Sequence, residues 1–325
     1  MKKLLALALA LIFCLPFAAC GNDSSGSSDK ITIGIAQVEE HLSLDTIRES
    51  FIEEMAALGY GEDKVEFIYK NAQADQNNLN SICQQFVGDD VDLIVAIATP
   101  TAQAAATATK EIPILFSAVT DPVLAKLVDS MDAPGGNVTG TSDYIACDKI
   151  FDLALQITPD VQTFGLIYNT SESNSLSVIE EAKAYLDEKG ISYVESPVTN
   201  TSEVQQAMNS FVGKVDAVFA PIDNTVAKSM SVVTDVSRKN NLPVYVSADS
   251  MVSDGGLATI GIDYTVLGKE TAAMAKEILE GADPAQVPVR VMSDVSTYIN
   301  VETAQAIGVE IPQEILDSAT LFGNQ

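Results

Sequence analysis

The chain has 325 residues, enough for two domains of ordinary size, and 47% hydrophobic with 19% charged residues describes a globular rather than a disordered protein. Asp and Glu number 45 against 18 Lys and Arg, a formal net charge of −27 that repels phosphate backbones and excludes nucleic acid as a partner. A single histidine, His41, leaves no material for a His-based triad or a multi-histidine metal centre, and neither GxxxxGK[ST] nor HExxH occurs. The expectation is a protein with no cofactor, no bound metal and no enzymatic activity.

The first elements are an address and a leash. Met1-Lys2-Lys3 is a basic start, and Leu4 to Phe17 is an apolar run broken only by Pro16 and followed by small residues. A run of about 14 residues is short for a bilayer span and reads as a secretory signal peptide over residues 1–19. Phe17-Ala18-Ala19-Cys20 resembles a bacterial lipobox, with Phe17 where Leu is usual, so that Cys20 becomes the lipidated first residue. A plain signal peptide cleaved after Ala19 is the alternative. Gly21 to Asp29 is small and polar and reads as a flexible tether, giving residues 20–30 the role of anchor and leash. The protein is therefore expected outside the cytoplasm, held to the membrane by lipid on Cys20. Cys83 and Cys147 read as small apolar core residues, with one disulfide between them as the alternative.

From Lys30 onward short β-branched runs alternate with longer helical patterns, the signature of parallel sheets with crossover helices. The patterning predicts strand 31–38, helix 44–58 closed by Gly59, strand 65–70, helix 76–87, strand 91–99, helix 101–110 and strand 112–119. Ala133 to Gly140 reads as an exposed turn before a short strand into Asp143. The rhythm then restarts, with strand 164–168, helix 176–189 closed by Gly190, strand 191–196, helix 203–212, strand 215–221, helix 225–239 and strand 242–247.

The two halves align with each other. Val91 to Thr99 parallels Val215 to Asp223, Thr101 matches Thr225 at a helix start, and Ile112 to Ala118 parallels Leu242 to Ala248. The fold class read from this is α/β, two similar doubly wound lobes joined by a hinge, one starting at Ile31 and the other near Asp143. Ligands of such sheets gather beyond the carboxyl ends of the strands, where helix N-termini offer free N–H groups. The loops to watch are therefore His41–Ser43, Thr99–Thr101, Ser117–Asp121, Tyr168–Ser175, Asp223–Thr225 and Ser247–Ser250.

In those loops Thr99 and Thr101, at a helix start, and Ser117 on the same rim suit a ligand carboxylate, with an ordinary N-cap as the alternative for Thr101. Asp223, with Asn224 beside it, suits a ligand ammonium, unless its carboxylate is only the cap of the following helix. On the first account Asp223→Asn weakens binding and leaves stability almost unchanged. Asp143, Asp249 and Asp263 are further acidic candidates, too many for one small ligand, so at least one is structural. His41, with Ser43 next to it, stacks on a ligand or packs on a wall rather than acting as a base, because no nucleophile motif accompanies it. Tyr168 offers a ring face from the other lobe, with core packing as the alternative, and Asn174 adds a carboxamide to the same rim.

His41-Leu-Ser-Leu-Asp45, Ile97 to Gln103, Val119-Thr-Asp-Pro122, Pro134-Gly-Gly-Asn-Val-Thr-Gly140 with Ser142-Asp143, and Pro221-Ile-Asp-Asn-Thr225 together resemble the bacterial ABC-transporter substrate-binding lipoproteins, in particular the tryptophan- and tyrosine-binding group. The similarity runs from Ile31 to the C-terminus. It implies a type I periplasmic-binding-protein fold with three hinge crossings: 31–142 with about 264–285 in lobe 1, and 143–263 with about 286–325 in lobe 2. Helix Gly268–Glu280 would return to the first lobe and the tail after Pro288 to the second. The resemblance also implies a monomer that captures an aromatic amino acid (Tyr, Trp or Phe) and delivers it to a membrane permease with its ATPase.

Energetics permit that ligand. Burying an aromatic side chain contributes about 4–6 kcal/mol at about 25 cal/mol/Å², and micromolar affinity requires about 8 kcal/mol. Charge-assisted bonds to the ammonium and carboxylate supply the difference. An aliphatic amino acid, a sugar or a nucleoside is an alternative ligand, although the absence of Trp counts against a sugar site. A hydrolase, a surface adhesin or a sensor on the same frame are the alternatives from other classes.

Overall fold

The computed structural model describes residues 30–323. The segments read as a signal peptide and a tether, with Cys20 between them, lie outside the described residues up to Lys30. The first half runs β1 (Ile31–Gln37), α1 (Leu42–Ala57), β2 (Val65–Asn71), α2 (Gln76–Gly88), β3 (Leu93–Ile97), α3 (Thr99–Ala108), β4 (Ile114–Ser117) and β5 (Val138–Ser142). The second half runs α4 (Cys147–Ile157), β6 (Thr163–Asn169), α5 (Ser173–Lys189), β7 (Ser192–Val198), α6 (Val204–Phe211), β8 (Ala217–Ala220), α7 (Asn224–Lys228), α8 (Met230–Asn240), β9 (Val244–Val246), α9 (Asp249–Ser253) and β10 (Ala258–Gly261). The chain closes with α10 (Tyr264–Leu279), β11 (Arg290–Val291), β12 (Ser296–Asn300), α11 (Val301–Ile307), α12 (Gln313–Leu316) and β13 (Thr320–Phe322).

These elements build two sheets. The first has the order β11-β5-β4-β3-β1-β2 with every pair parallel. The second has the order β13-β12-β10-β9-β8-β6-β7 and is parallel except where β12 runs against β10. Central strands such as β3 and β8 are buried along their whole length, as strands covered by helices on both faces must be. The internal duplication extends to single contacts. Gly34 of β1 lies under the Phe86 ring and Gly165 of β6 under the Phe211 ring, each ring 2.8 Å from where a Cβ would sit. Asp92 accepts from the Thr32 amide at 2.7 Å, and Asp216 from the Thr163 amide at 2.9 Å.

Three boundaries differ from the sequence expectation. Helix 225–239 is two helices, because Ser229 leaves the helical region (φ −102, ψ 12) and turns its hydroxyl back to the Thr225 carbonyl at 2.9 Å. Helix α10 starts four residues before Gly268, where Asp263 caps it by accepting from the Thr265 amide at 2.7 Å. The tail stays with the first sheet until Val291: β11 adds to the free edge of β5, and Arg290 is held by Glu270 at 2.5 Å and Glu277 at 2.6 Å, both on α10. The crossing to the second sheet therefore falls between β11 and β12, later than the boundary near residue 286. Cys83 and Cys147 are buried and free, in separate core clusters. Among the described residues no helix is long and apolar enough to cross a membrane.

Candidate functional site

The strands of both sheets end at one cleft. On the first lobe, β1 leads to His41, β3 to Ala98 and Thr99, and β4 to Ala118, all of which line it. Ala98 (φ +77, ψ 158) and Ala118 (φ +56) both have positive φ, which costs on the order of 1–3 kcal/mol for a residue with a Cβ. Such strain concentrates where the backbone must turn sharply to present a surface. Here it brings the start of α3 to the cleft, where the first N–H groups of a helix have no partner within it.

The second lobe contributes a wall of acceptors. Asp223 is buried, caps α7 by accepting from the Val226 amide at 2.9 Å, and also accepts from the Asn169 amide at 2.6 Å and the Ser175 hydroxyl at 2.7 Å. Behind it Glu172 accepts from the Asn224 side-chain amide at 2.5 Å, from the Asn224 and Thr225 backbone amides at 3.2 and 3.3 Å, and contacts the Thr225 hydroxyl at 3.2 Å. Burial, and then the neighbouring Asp223 carboxylate, push the Glu172 carboxyl up to about 8. Burial raises Asp223 as well. Asn174 donates its amide to the Ile222 carbonyl at 2.8 Å, and its buried Oδ1 has no partner among the described residues.

Contacts across the cleft tie the lobes together. The His41 Nε2 lies 3.2 Å from Asn224 Oδ1. The Asn224 amide nitrogen is committed to Glu172, so its oxygen faces the ring and the imidazole donates from Nε2. Burial lowers His41 to about 4, so the ring is neutral near pH 7. The Ser43 and Ser250 hydroxyls touch, and the Lys228 ammonium donates to the Glu40 carbonyl. At the crossing after β5, Asp143 accepts from Thr120 at 3.0 Å and Tyr264 at 3.2 Å, and burial pushes its carboxyl up to about 6.

The structure thus brings together His41, Ser43, Thr99, Asp143, Asn174, Asp223 and Asn224 around one space. Four expected residues do not join them. Ser117 is turned under α10, where its hydroxyl meets Thr271 at 2.9 Å and Thr141 at 3.3 Å. Thr101 is fully buried inside its lobe, and its hydroxyl has no partner. Tyr168 packs in the second-lobe core and donates to Glu195 at 2.7 Å, because its place on β6 points it away from the cleft. Asp249 bonds the Ser250 amide at 2.7 Å and is not on the cleft lining. All three recorded side-chain bonds of Asp223 are to donors of its own lobe, which argues against Asp223→Asn being structurally mild. Sequence reasoning missed Glu172, one residue before the start of α5, and Tyr264, the first residue of α10. A carboxylate three residues beyond a strand end was the available signal for Glu172. The rest of the lining is small or apolar: Leu44, Ile222, Ala227, Ala248 and Met251.

The profile of the ABC transporter substrate binding protein family matches residues 32–322. The chain belongs to that family. This substrate-binding protein is 42% identical over 290 residues to a tyrosine-binding protein of Clostridioides difficile, covering 89% of this chain and 84% of that one. A solved ABC domain from Streptococcus pneumonia in complex with L-Trp is 39% identical and superposes with a TM-score of 0.87, covering 90% of this chain and all of that chain. A ligand-free, open substrate-binding protein with adhesive properties from Clostridium difficile is also 39% identical, over 90% and 99% of the two chains, but superposes at only 0.69. At equal identity, the better fit to the L-Trp complex accords with the contacts across the cleft: the lobes of this substrate-binding protein are closed on each other. The two-lobed α/β architecture is that of the type I periplasmic binding proteins.

Proposed function

We propose that this substrate-binding protein is the extracytoplasmic, lipid-anchored receptor of an ABC importer, and that it captures an aromatic amino acid in the inter-lobe cleft for a permease with its ATPase. The observation that carries the ligand class is the division of polar groups around the cleft. Acceptors face it from one side, namely Asp223 and the unpartnered Asn174 Oδ1, while the first lobe offers the Thr99 hydroxyl and the start of α3. An α-amino acid matches both, its ammonium toward the acceptors and its carboxylate toward the helix start. Among the described residues no lysine or arginine lines the cleft, so the helix start carries the carboxylate's share. The alanines at 98, 118, 227 and 248 leave lateral room for a flat ring between Leu44, Ile222 and Met251. The tyrosine-binding relative and the L-Trp complex support the same class.

A thermal-shift panel of the twenty amino acids with sugars and nucleosides tests the reading. Tyrosine, tryptophan or phenylalanine should give the largest rise in melting temperature. A response confined to a sugar, a nucleoside or an aliphatic amino acid overturns the aromatic assignment. The anchor is tested separately: Cys20→Ala should leave the membrane fraction while keeping the ligand response, and retention after a high-salt wash would overturn lipid attachment.

A further inference from the structure

The second-lobe wall holds more negative charge than a ligand ammonium alone accounts for. Glu172 and Asp223 are 6% and 1% exposed and converge on the same turn, the first residues of α7. Among the described residues, the charged groups that face the pair from the elements packed on it are four. Lys228, on α7 itself, is exposed to solvent and donates to the Glu40 carbonyl, so its charge is screened by water; Glu39 faces from the first lobe and is a carboxyl group that burial pushes up to about 7; His41, reached through Asn224, is neutral; Asp143 lies across the cleft and is a carboxyl group as well. Two buried carboxylates without a buried cation do not both stay ionised: one keeps a proton until a positive charge arrives. Asn174, 5% exposed and lining the cleft with a bare Oδ1, marks where that charge is accepted.

We propose that the Glu172–Asp223 pair holds one proton when no cation is bound and gives it up to solvent when the cleft captures the ligand's ammonium, so that capture and proton release are linked. The inference rests on the amino-acid reading above and adds its regulation by pH. The geometry gives the proton a place. With Glu172 protonated, its Oε1 donates to the Thr225 hydroxyl oxygen 3.2 Å away. With Glu172 ionised, that hydroxyl turns round and donates to Oε1 instead. The Asn169 side chain donates to the same Thr225 oxygen at 2.7 Å in either state. The Thr225 hydroxyl thus accepts from the protonated carboxyl and donates to the ionised one, a change of role that needs only rotation about its C–O bond. Glu172 acts through Asn224, which it holds by two amides, and is a positioning residue rather than a ligand contact.

The sign follows from linkage. Burial and Asp223 place the Glu172 proton near pH 8, so it is bound at pH 7 and must leave as the ammonium enters. Affinity therefore weakens as pH falls, by up to about tenfold per pH unit below 8, while the ligand ammonium keeps its charge. Calorimetry of L-tyrosine and L-tryptophan with the full chain, in buffers of low and high ionisation enthalpy at pH 7, counts the proton. Wild type should release close to one proton per ligand. Glu172→Gln, which mimics the protonated carboxyl, should release far less than one proton and should lose most of the pH dependence of Kd between 7 and 8. Binding by wild type without proton release overturns the proposal whatever the variant does. So does a full release that survives in Glu172→Gln: its disappearance in Asp143→Asn would put the proton at the hinge, and in Glu39→Gln on the first lobe. Failure of both amino acids to bind wild type overturns the amino-acid reading and this inference with it, so the two failures are distinct.

Discussion

Asp223 faces the cleft, yet its carboxylate is occupied by donors of its own lobe: the Asn169 and Val226 amides and the Ser175 hydroxyl. An asparagine at this position points its NH₂ at one of those donors and leaves a buried N–H or O–H without an acceptor. The expected cost is about 1–3 kcal/mol of stability, in addition to weaker binding of a cationic ligand. Thermal melting of Asp223→Asn beside wild type measures the first effect and titration calorimetry the second. An unchanged melting temperature would show that the three bonds are dispensable. The residue type and its place after a strand were legible in the sequence. Its cap on α7 was legible too, as the alternative to a ligand role, but its other two bonds were not, because Asn169 and Ser175 come from β6 and α5, 54 and 48 residues away along the chain.

Helix α10 leaves the second lobe and packs on α1 of the first. The approach is close at Gly268, where a Cβ would meet the Ser50 hydroxyl at 2.1 Å and the Ile47 carbonyl oxygen at 2.6 Å. The serine can rotate away, but the carbonyl belongs to the backbone of α1 and moves only with the helix. Gly268→Ala should therefore cost about 1–3 kcal/mol through overpacking, read as a lower urea midpoint. Gly136→Ala is the control: nothing lies within 4 Å of its Cβ position, and it should stay close to wild type. The amphipathic pattern of α10 was readable from Gly268 onward, and its first turn was missed because Asp263 read as a ligand candidate when it is the helix cap.

Closure belongs to the whole molecule. His41 with Asn224, Ser43 with Ser250, and Lys228 with Glu40 all join residues of different lobes, so each contact exists only while the cleft is shut. A ligand bridging the lobes favours that arrangement because only there does it touch both. In the double variant Ser43→Cys with Ser250→Cys, the touching side chains should form a disulfide on oxidation and lock the lobes. Small-angle scattering should then show a radius of gyration indifferent to ligand, whereas the reduced variant contracts when tyrosine or tryptophan saturates it. A reduced form that does not contract at saturation would count against closure driven by ligand.

The repeated alternation of strands and helices, the parallel between Val91–Thr99 and Val215–Asp223, and the loops at the strand ends were all set by local pattern. A strand's period and a helix's caps are properties of neighbouring residues, and two similar sheets in one chain imply a cleft. The cleft lining of His41, Thr99, Asp143, Asn174 and Asp223 followed from that logic. Side-chain direction did not follow, because a single residue's shift along a strand end turns a side chain from cleft to core. Ser117 went under α10 and Tyr168 into the second-lobe core for this reason, while Thr101 turned into its own lobe because the helical turn of α3 carries it away from the face that Thr99 presents. Glu172 became a partner of Asn224 only when β6 and β8 paired side by side. The proton it holds depends on burial beside Asp223, and burial is decided by the folded whole.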